Sequence, residues 1–174
     1  PVLPESDVSY AELDTAVGRL LLATAGGRLV LCGYAAGETE EQAHLARVAA
    51  AVSPRVLRLA RPLDGARRQV EDYLAGRRHD FDVATSLAVA TPFQREVLAG
   101  LDATAYGRTT TYGELAGRIG RPRASRAVGT ALGGNPLCLV LPCHRVLPAG
   151  GGIGGYAGGP AAKEKLLTLE ATAG

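Results

Sequence analysis

Between Thr91 and Gly134 helix caps and breakers follow one another so closely that only short helices fit. Thr91-Pro92-Phe93-Gln94 supplies an N-cap, a proline at the first helical position and a capping-box glutamine, which predicts a helix to about Leu101. Thr111 and Glu114 repeat the device for a helix over 112–119. Gly120-Arg121-Pro122 then breaks the chain, and a further helix over 124–132 ends at Gly133-Gly134. Two short helices around a glycine-containing turn make either a helix-turn-helix or a plain αα-hairpin.

Charge favours the first of these. Residues 103–145 carry six arginines against Glu114 alone, a local charge of +5 in a chain whose net charge is +2. Guanidinium groups concentrated on one segment are a footprint for a polyanion, and they suit bidentate contacts with phosphates or base edges. The second helix is edged by Arg123 and Arg126 and is otherwise small (Ala124, Ala127, Gly129, Ala131), so its backbone can approach a duplex closely.

The first half mixes both element types. Apolar runs at 19–23 and 28–34 flank Ala25-Gly26-Gly27, a hairpin signal. Thr39 and Gln42 form a capping-box pattern for a helix to about Val52, and a second helix is expected over 63–75, stopped by Gly76. Residues 81–89 read as a strand or an extended linker. The expected fold is α/β. A small N-terminal α/β domain with a short sheet and linker occupies residues 1–88, and a mainly helical C-terminal domain occupies residues 89–174.

Several classes are excluded. At 174 residues and 47% hydrophobic content the chain can bury a core and is too apolar for general disorder. No apolar run reaches the roughly 20 residues of a membrane helix, and the N-terminus lacks signal-peptide patterning. The expectation is therefore a cytoplasmic protein with no membrane partner. Its three cysteines, Cys32, Cys138 and Cys143, include no CxxC pair and leave one over under any disulfide scheme. Gly150, Gly152 and Gly155 satisfy GxGxxG, but Gly158-Gly159-Pro160 follows where a dinucleotide fold needs a helix to begin.

The residue combination that carries chemistry is Pro142-Cys143-His144-Arg145-Val146, at the end of the apolar run 137–141 and before a loop with seven glycines in ten residues, 150–159. Only a thiolate attacks, so Cys143 needs a neighbouring base or cation. His144 can be that base, directly or through one water; Arg145 adds positive field, and Glu170 can fix the imidazole tautomer. The bare dipeptide by itself favours a buried cysteine next to a structural histidine; a Cys-His hydrolase unrelated to nucleic acid would carry it too, but the arginine-rich helix pair opposes that reading.

Pro142-Cys143-His144-Arg145-Val146 resembles the active-site signature of the O6-alkylguanine-DNA alkyltransferases, the methylated-DNA–protein-cysteine methyltransferases. Phe93-Gln94, Tyr106-Gly107, Thr111-Tyr112-Gly113-Glu114-Leu115-Ala116, Ser125-Arg126-Ala127-Val128-Gly129, Asn135-Pro136, Gly155-Tyr156-Ala157-Gly158-Gly159 and residues 163–170 follow in the family's order and at similar spacings. The resemblance covers about residues 90–170 and is highly specific.

It implies irreversible, stoichiometric transfer of an alkyl group from O6-alkylguanine, and from O4-alkylthymine, in double-stranded DNA to Cys143. His144 and Glu170 activate that thiol, Tyr112 donates to guanine N3 and turns the nucleotide's phosphate, and Asn135 braces the active-site turn. Arg126 fills the gap left by the flipped base. Tyr112, Arg123, Ala124, Ala127 and Gly129 face the DNA, and Leu132, Pro142, Val146, Tyr156 and Ala157 surround the base. Small side chains and one intercalating cation suit minor-groove approach and base extrusion.

No cofactor is implied, and the protein is expected to be a monomer, with cooperativity along DNA left open. Some family members bind zinc in the N-terminal half through several Cys and His; here that half offers only Cys32, His44 and His79, so no metal is expected. Alkyltransferase-like proteins replace the nucleophile and only sense lesions. The alternative function, a lesion-binding sensor with little or no transfer, is opposed by the intact Cys143.

Overall fold

The computed structural model describes residues 7–172 and divides into two compact units, Pro1–Val89 and Ala90–Gly174. In the first unit β1 (Val8–Thr15), β2 (Gly18–Ala25) and β3 (Arg28–Tyr34) form an antiparallel meander. β4 (Val56–Arg58) joins β1 in parallel, giving the order β3-β2-β1-β4.

The central strand β2 is recognisable from its run Leu20-Leu21-Leu22-Ala23, all fully buried, as continuous apolar strands are when covered on both faces. The β2–β3 turn has Gly26 at φ 57 and Gly27 at φ 75. Two successive positive φ values are what a tight hairpin turn matched to strand twist requires.

Two elements escape the sequence patterns. β1 interleaves Val8, Ala11 and Leu13 with Ser9, Tyr10, Glu12 and Asp14, and Glu12 is used in ion pairs with Arg19 and Arg58 (3.3 and 2.6 Å). β4 is three residues long, too short for any periodicity.

The capping expectation at Thr39 and Gln42 is not met. Helix α1 runs Glu38–Ala51 with Gly37 as its N-cap in extended conformation, and the Glu40 carboxylate accepts from the Gly37 N–H at 3.1 Å. Glu38, Glu40 and Glu41 in the first turn also complement the positive helix N-terminus. Helix α2 (Asp64–Leu74) ends as expected at Gly76, whose φ of 77 lets Arg77 N–H reach the Asp72 carbonyl at 2.8 Å. Residues 81–89 form no strand; Thr85 makes one isolated parallel bridge to Leu29.

The second unit is mainly helical. Helix α3 (Pro92–Ala99) has the full capping box, with Gln94 N–H to Thr91 Oγ1 at 3.1 Å and Thr91 N–H to Gln94 Oε1 at 2.9 Å. A 3-10 turn at Gly100–Ala103 follows. β5 (Thr110–Thr111) pairs in parallel with β6 (Val146–Leu147), a two-residue ladder with no sequence signature.

Thr111 caps helix α4 (Tyr112–Arg118), but the Glu114 carboxylate accepts from the Thr110 hydroxyl (2.9 Å) instead of closing a box. Gly120, at φ 77, makes the turn to helix α5, Ser125–Gly133. Ala124 is therefore the cap of this helix and not its first residue. Leu115 and Ala116 of α4 and Val128, Ala131 and Leu132 of α5 are buried on the pair's inner faces, as in a helix-turn-helix. The final helix α6 spans Pro160–Thr172.

Candidate active site

Residues 137–141 are not a strand. The chain doubles back, with Leu139 at φ 70 and Leu141 N–H bonded to the Leu137 carbonyl at 2.8 Å. A left-handed leucine is strained and persists only where its surroundings enforce it. Asn135 does the enforcing: its Oδ1 accepts from Leu137 N–H (2.9 Å) and its Nδ2 donates to the Leu141 carbonyl (3.0 Å). The turn delivers Cys143 as the first residue of a 3-10 turn, Cys143–Arg145.

Cys143 is 6% exposed, at one wall of a cavity of about 280 Å³. Tyr112 from α4, Gly129, Leu132 and Gly133 from α5, and Gly155, Tyr156 and Ala157 from the glycine loop complete the lining. Close approach explains the neighbouring Gly154, at φ 74: a Cβ there would sit 3.0 Å from the Tyr112 hydroxyl and from Pro148, whereas one on Gly129 would meet the Tyr112 ring at an ordinary 3.6 Å. Pro142 and Val146 are outside this lining; Val146 is fully buried and offers its carbonyl to Lys163.

Behind the cysteine lies a buried polar chain. His144 is fully buried, and its Nε2–H donates to Glu170 Oε2 at 2.7 Å. Arg145 forks onto the same carboxylate, Nε to Oε1 at 2.7 Å and Nη2 to Oε2 at 3.2 Å, while Nη1 donates to the Thr104 carbonyl at 2.9 Å. Burial holds the His144 pKa down despite the opposing Glu170 carboxylate, so the ring is neutral. With the proton on Nε2, the lone pair is on Nδ1, which is buried without a hydrogen-bond partner. An unsatisfied buried acceptor is costly and points to a proton or ligand it is kept for.

The thiol is held below its ordinary pKa. Hydrogen bonds from Cys138 and Asn135 and the charge of Lys163 outweigh the cost of burial, so the thiolate is populated at lower pH than a free cysteine allows. Burial, with the nearby Cys143, raises the Tyr112 phenol, which keeps its hydroxyl a donor.

Lys163 is the functional candidate that residue patterns missed. It is fully buried, donates to the Val146 and Gly155 carbonyls at 2.7 and 3.1 Å, and lies 5.8 Å from the Tyr112 ring centroid. It therefore ties the glycine loop to the active-site turn. One signal was available: Lys163, Leu166 and Glu170 fall at i, i+3 and i+7, a single helix stripe, and all three are buried.

The basic segment is only partly a surface for a polyanion. Arg121 is paired with Glu96 (3.0 Å), Arg118 donates to the Gly100 carbonyl (2.8 Å), and Arg145 is buried on Glu170. Arg108, Arg123 and Arg126 are exposed. Arg126 lines two open grooves, one with Phe93, Arg123, Ala124 and Ala127, the other with Tyr112, Gly129 and Gly155 beside the Cys143 cavity. Among the described residues no cluster of His, Cys, Asp and Glu could hold a metal ion, and no helix is long and apolar enough to cross a membrane.

The chain is similar to known proteins over both halves. Residues 92–172 match the family model for the 6-O-methylguanine DNA methyltransferase DNA binding domain. A methylated-DNA–protein-cysteine methyltransferase of Methanosarcina acetivorans is 50% identical over 105 residues, 60% of this chain and 67% of that protein. One of Mycolicibacterium paratuberculosis is 46% identical over 110 residues, 63% of this chain and 66% of that protein. The chain thus spans about two thirds of these relatives' length in alignment.

The crystal structure of Mycobacterium tuberculosis O6-methylguanine methyltransferase superimposes with a TM-score of 0.80 at 36% identity, covering 96% of this chain and 94% of that one. That of M. tuberculosis OGT in complex with DNA does so with a TM-score of 0.81 at 35% identity, covering 95% and 94%. Half-identity to one relative across two thirds of its length, and a shared fold across nearly the whole of another, place the chain in the methylated-DNA–protein-cysteine methyltransferase family.

Proposed function

We propose that the protein repairs alkylated DNA directly, moving the alkyl group of O6-alkylguanine, and of O4-alkylthymine, from duplex DNA onto Cys143. The observation that carries this reading is the unpartnered Nδ1 of neutral His144 next to a buried cysteine whose thiolate is favoured.

The damaged base must leave the stack to reach a cavity walled by α5 and the glycine loop. Arg126, at the ridge between two grooves, takes its place, and the small residues Ala124, Ala127 and Gly129 admit the backbone to the minor groove. Arg123 contacts phosphate. His144 Nδ1 takes the Cys143 proton, directly or through one water, and Glu170 keeps the opposite nitrogen protonated. The thiolate attacks the alkyl carbon; the C–O6 bond breaks and its electron pair passes to the guanine. Tyr112 donates towards N3 as that charge develops, and the proton given up by Cys143 balances the one guanine gains. The products are neutral guanine and a thioether. A thioether has no ready hydrolysis route, so each molecule acts once and needs no cofactor.

The test is intact-protein mass spectrometry with peptide mapping after incubation with a duplex carrying one O6-methylguanine. A gain of one methylene, mapped to Cys143 and saturating at one per molecule, is expected. Lesion-selective binding with no mass gain would replace repair by lesion sensing.

Arg126→Ala separates base extrusion from chemistry. Transfer from duplex DNA should fall on the order of 10- to 100-fold, as expected for losing a few kcal/mol that offset unstacking. The reaction with free O6-benzylguanine base, which needs no flipping, should proceed at the wild-type rate. Equal losses on both substrates would sink the role assigned to Arg126.

A further inference from the structure

Cys138 is a second buried thiol that the transfer step above does not use, although it helps to hold the Cys143 thiol below its ordinary pKa. Four residues separate the two cysteines in sequence, and the chain reverses between them at Leu139, where Leu141 N–H bonds the Leu137 carbonyl at 2.8 Å. Cys138 Sγ also lies 3.6 Å from the Asn135 carbonyl oxygen. A thiol has one proton, so it must choose between these two acceptors.

The choice depends on the state of Cys143. A neutral thiol sulfur is a weak acceptor, and the carbonyl keeps the proton. A thiolate is a charged acceptor, and charge-assisted hydrogen bonds are about twice as strong as neutral ones. A thioether sulfur is a weak acceptor again.

We propose that Cys138 is a positioning residue for alkyl transfer: its S–H turns from the Asn135 carbonyl to the Cys143 sulfur when that sulfur ionises, and returns when the thioether forms. The inference rests on the reading of Cys143 as the nucleophile. Other groups also face that sulfur. The Asn135 amide has one proton engaged with the Leu141 carbonyl and a second available. Lys163, from α6, donates to two carbonyls and acts on Cys143 through its charge. Tyr112 faces it from α4, and His144 adjoins it with Glu170 and Arg145 behind. For Cys138 the redirected proton exchanges a neutral acceptor, the Asn135 carbonyl, for an ionised one.

The decisive experiment is the pH dependence of Cys143 carboxamidomethylation by iodoacetamide. Peptide mapping keeps Cys32 and Cys138 separate, and wild-type, Cys138→Ala and Cys138→Ser proteins are compared. Cys138→Ala should move the midpoint to higher pH, slowing modification about ten-fold at neutral pH and converging on the wild-type rate in alkali. Cys138→Ser retains a donor and should retain the wild-type midpoint. If Cys138→Ala unfolds, Cys138→Val fills the volume without a donor and gives the same comparison. An unchanged midpoint in the donorless variants, or an equal loss at every pH in all variants, overturns the proposal. The reagent reacts without DNA, so this result is separate from a failure of the wild-type protein to take up a methyl group, which would refute the proposed function itself.

Discussion

Cys143→Ser is expected to bind a duplex containing O6-methylguanine as the wild-type protein does and to gain no mass from it. The substitution keeps the shape of the side chain at the wall of the cavity but replaces a thiol that ionises below its ordinary range by a hydroxyl that stays protonated at neutral pH. His144 is neutral because burial depresses its pKa, and a base this weak cannot hold a serine in its alkoxide form. The rate should fall at least about 10³-fold, some 4 kcal/mol of barrier. Placing a polar hydroxyl in this nearly closed position costs stability of about 1 kcal/mol, so the fold should survive. Gel-shift titration against the lesion duplex and intact mass on the same samples read the two properties together. A methylated Cys143→Ser protein would mean that the acceptor is another residue.

Glu170→Gln should be the most destabilising single change near the site. Glu170 is 2% exposed and accepts from both His144 and the Arg145 fork. The amide leaves the Arg145 guanidinium buried with no counter-charge, and breaking a buried pair from one side costs about 3–5 kcal/mol. In a unit of this size the melting temperature should drop by more than about 10 °C. Transfer should fall as well, because a neutral amide no longer dictates which His144 nitrogen keeps the proton. The two losses can be separated. Arg145→Met with Glu170→Leu removes both charges and should restore much of the stability, as apolar replacements of buried ion pairs do, while transfer stays impaired. If the double variant recovers full activity, the buried carboxylate does not act through His144.

The two units differ in how much their sequences disclosed. In the second, helix starts are written in local hydrogen bonds: Thr91 with Gln94, and Thr111 with the Glu114 N–H, lie three residues apart and need no tertiary partner to be recognised. In the first, β1 and β4 are held by pairing with β2 and with each other, so their polar residues are satisfied across strands and leave no periodic trace. Thr39 shows the converse: a good capping pattern lost to Gly37, two residues earlier, once Glu40 reached back to its N–H.

For the site, the sequence by itself determined which chemistry was present: a cysteine beside a histidine, a carboxylate near the C-terminus, a glycine loop, and two short helices edged with arginine. Only the tertiary structure decided what each group does. It buried Arg145 on Glu170 and so withdrew it from any DNA surface, left His144 Nδ1 open, and brought Lys163 and Cys138 to the nucleophile. The reason is physical. Residue type and local spacing set reactivity and helix ends, whereas pKa, protonation site and pairing depend on burial and on partners as distant in sequence as residues 144 and 170.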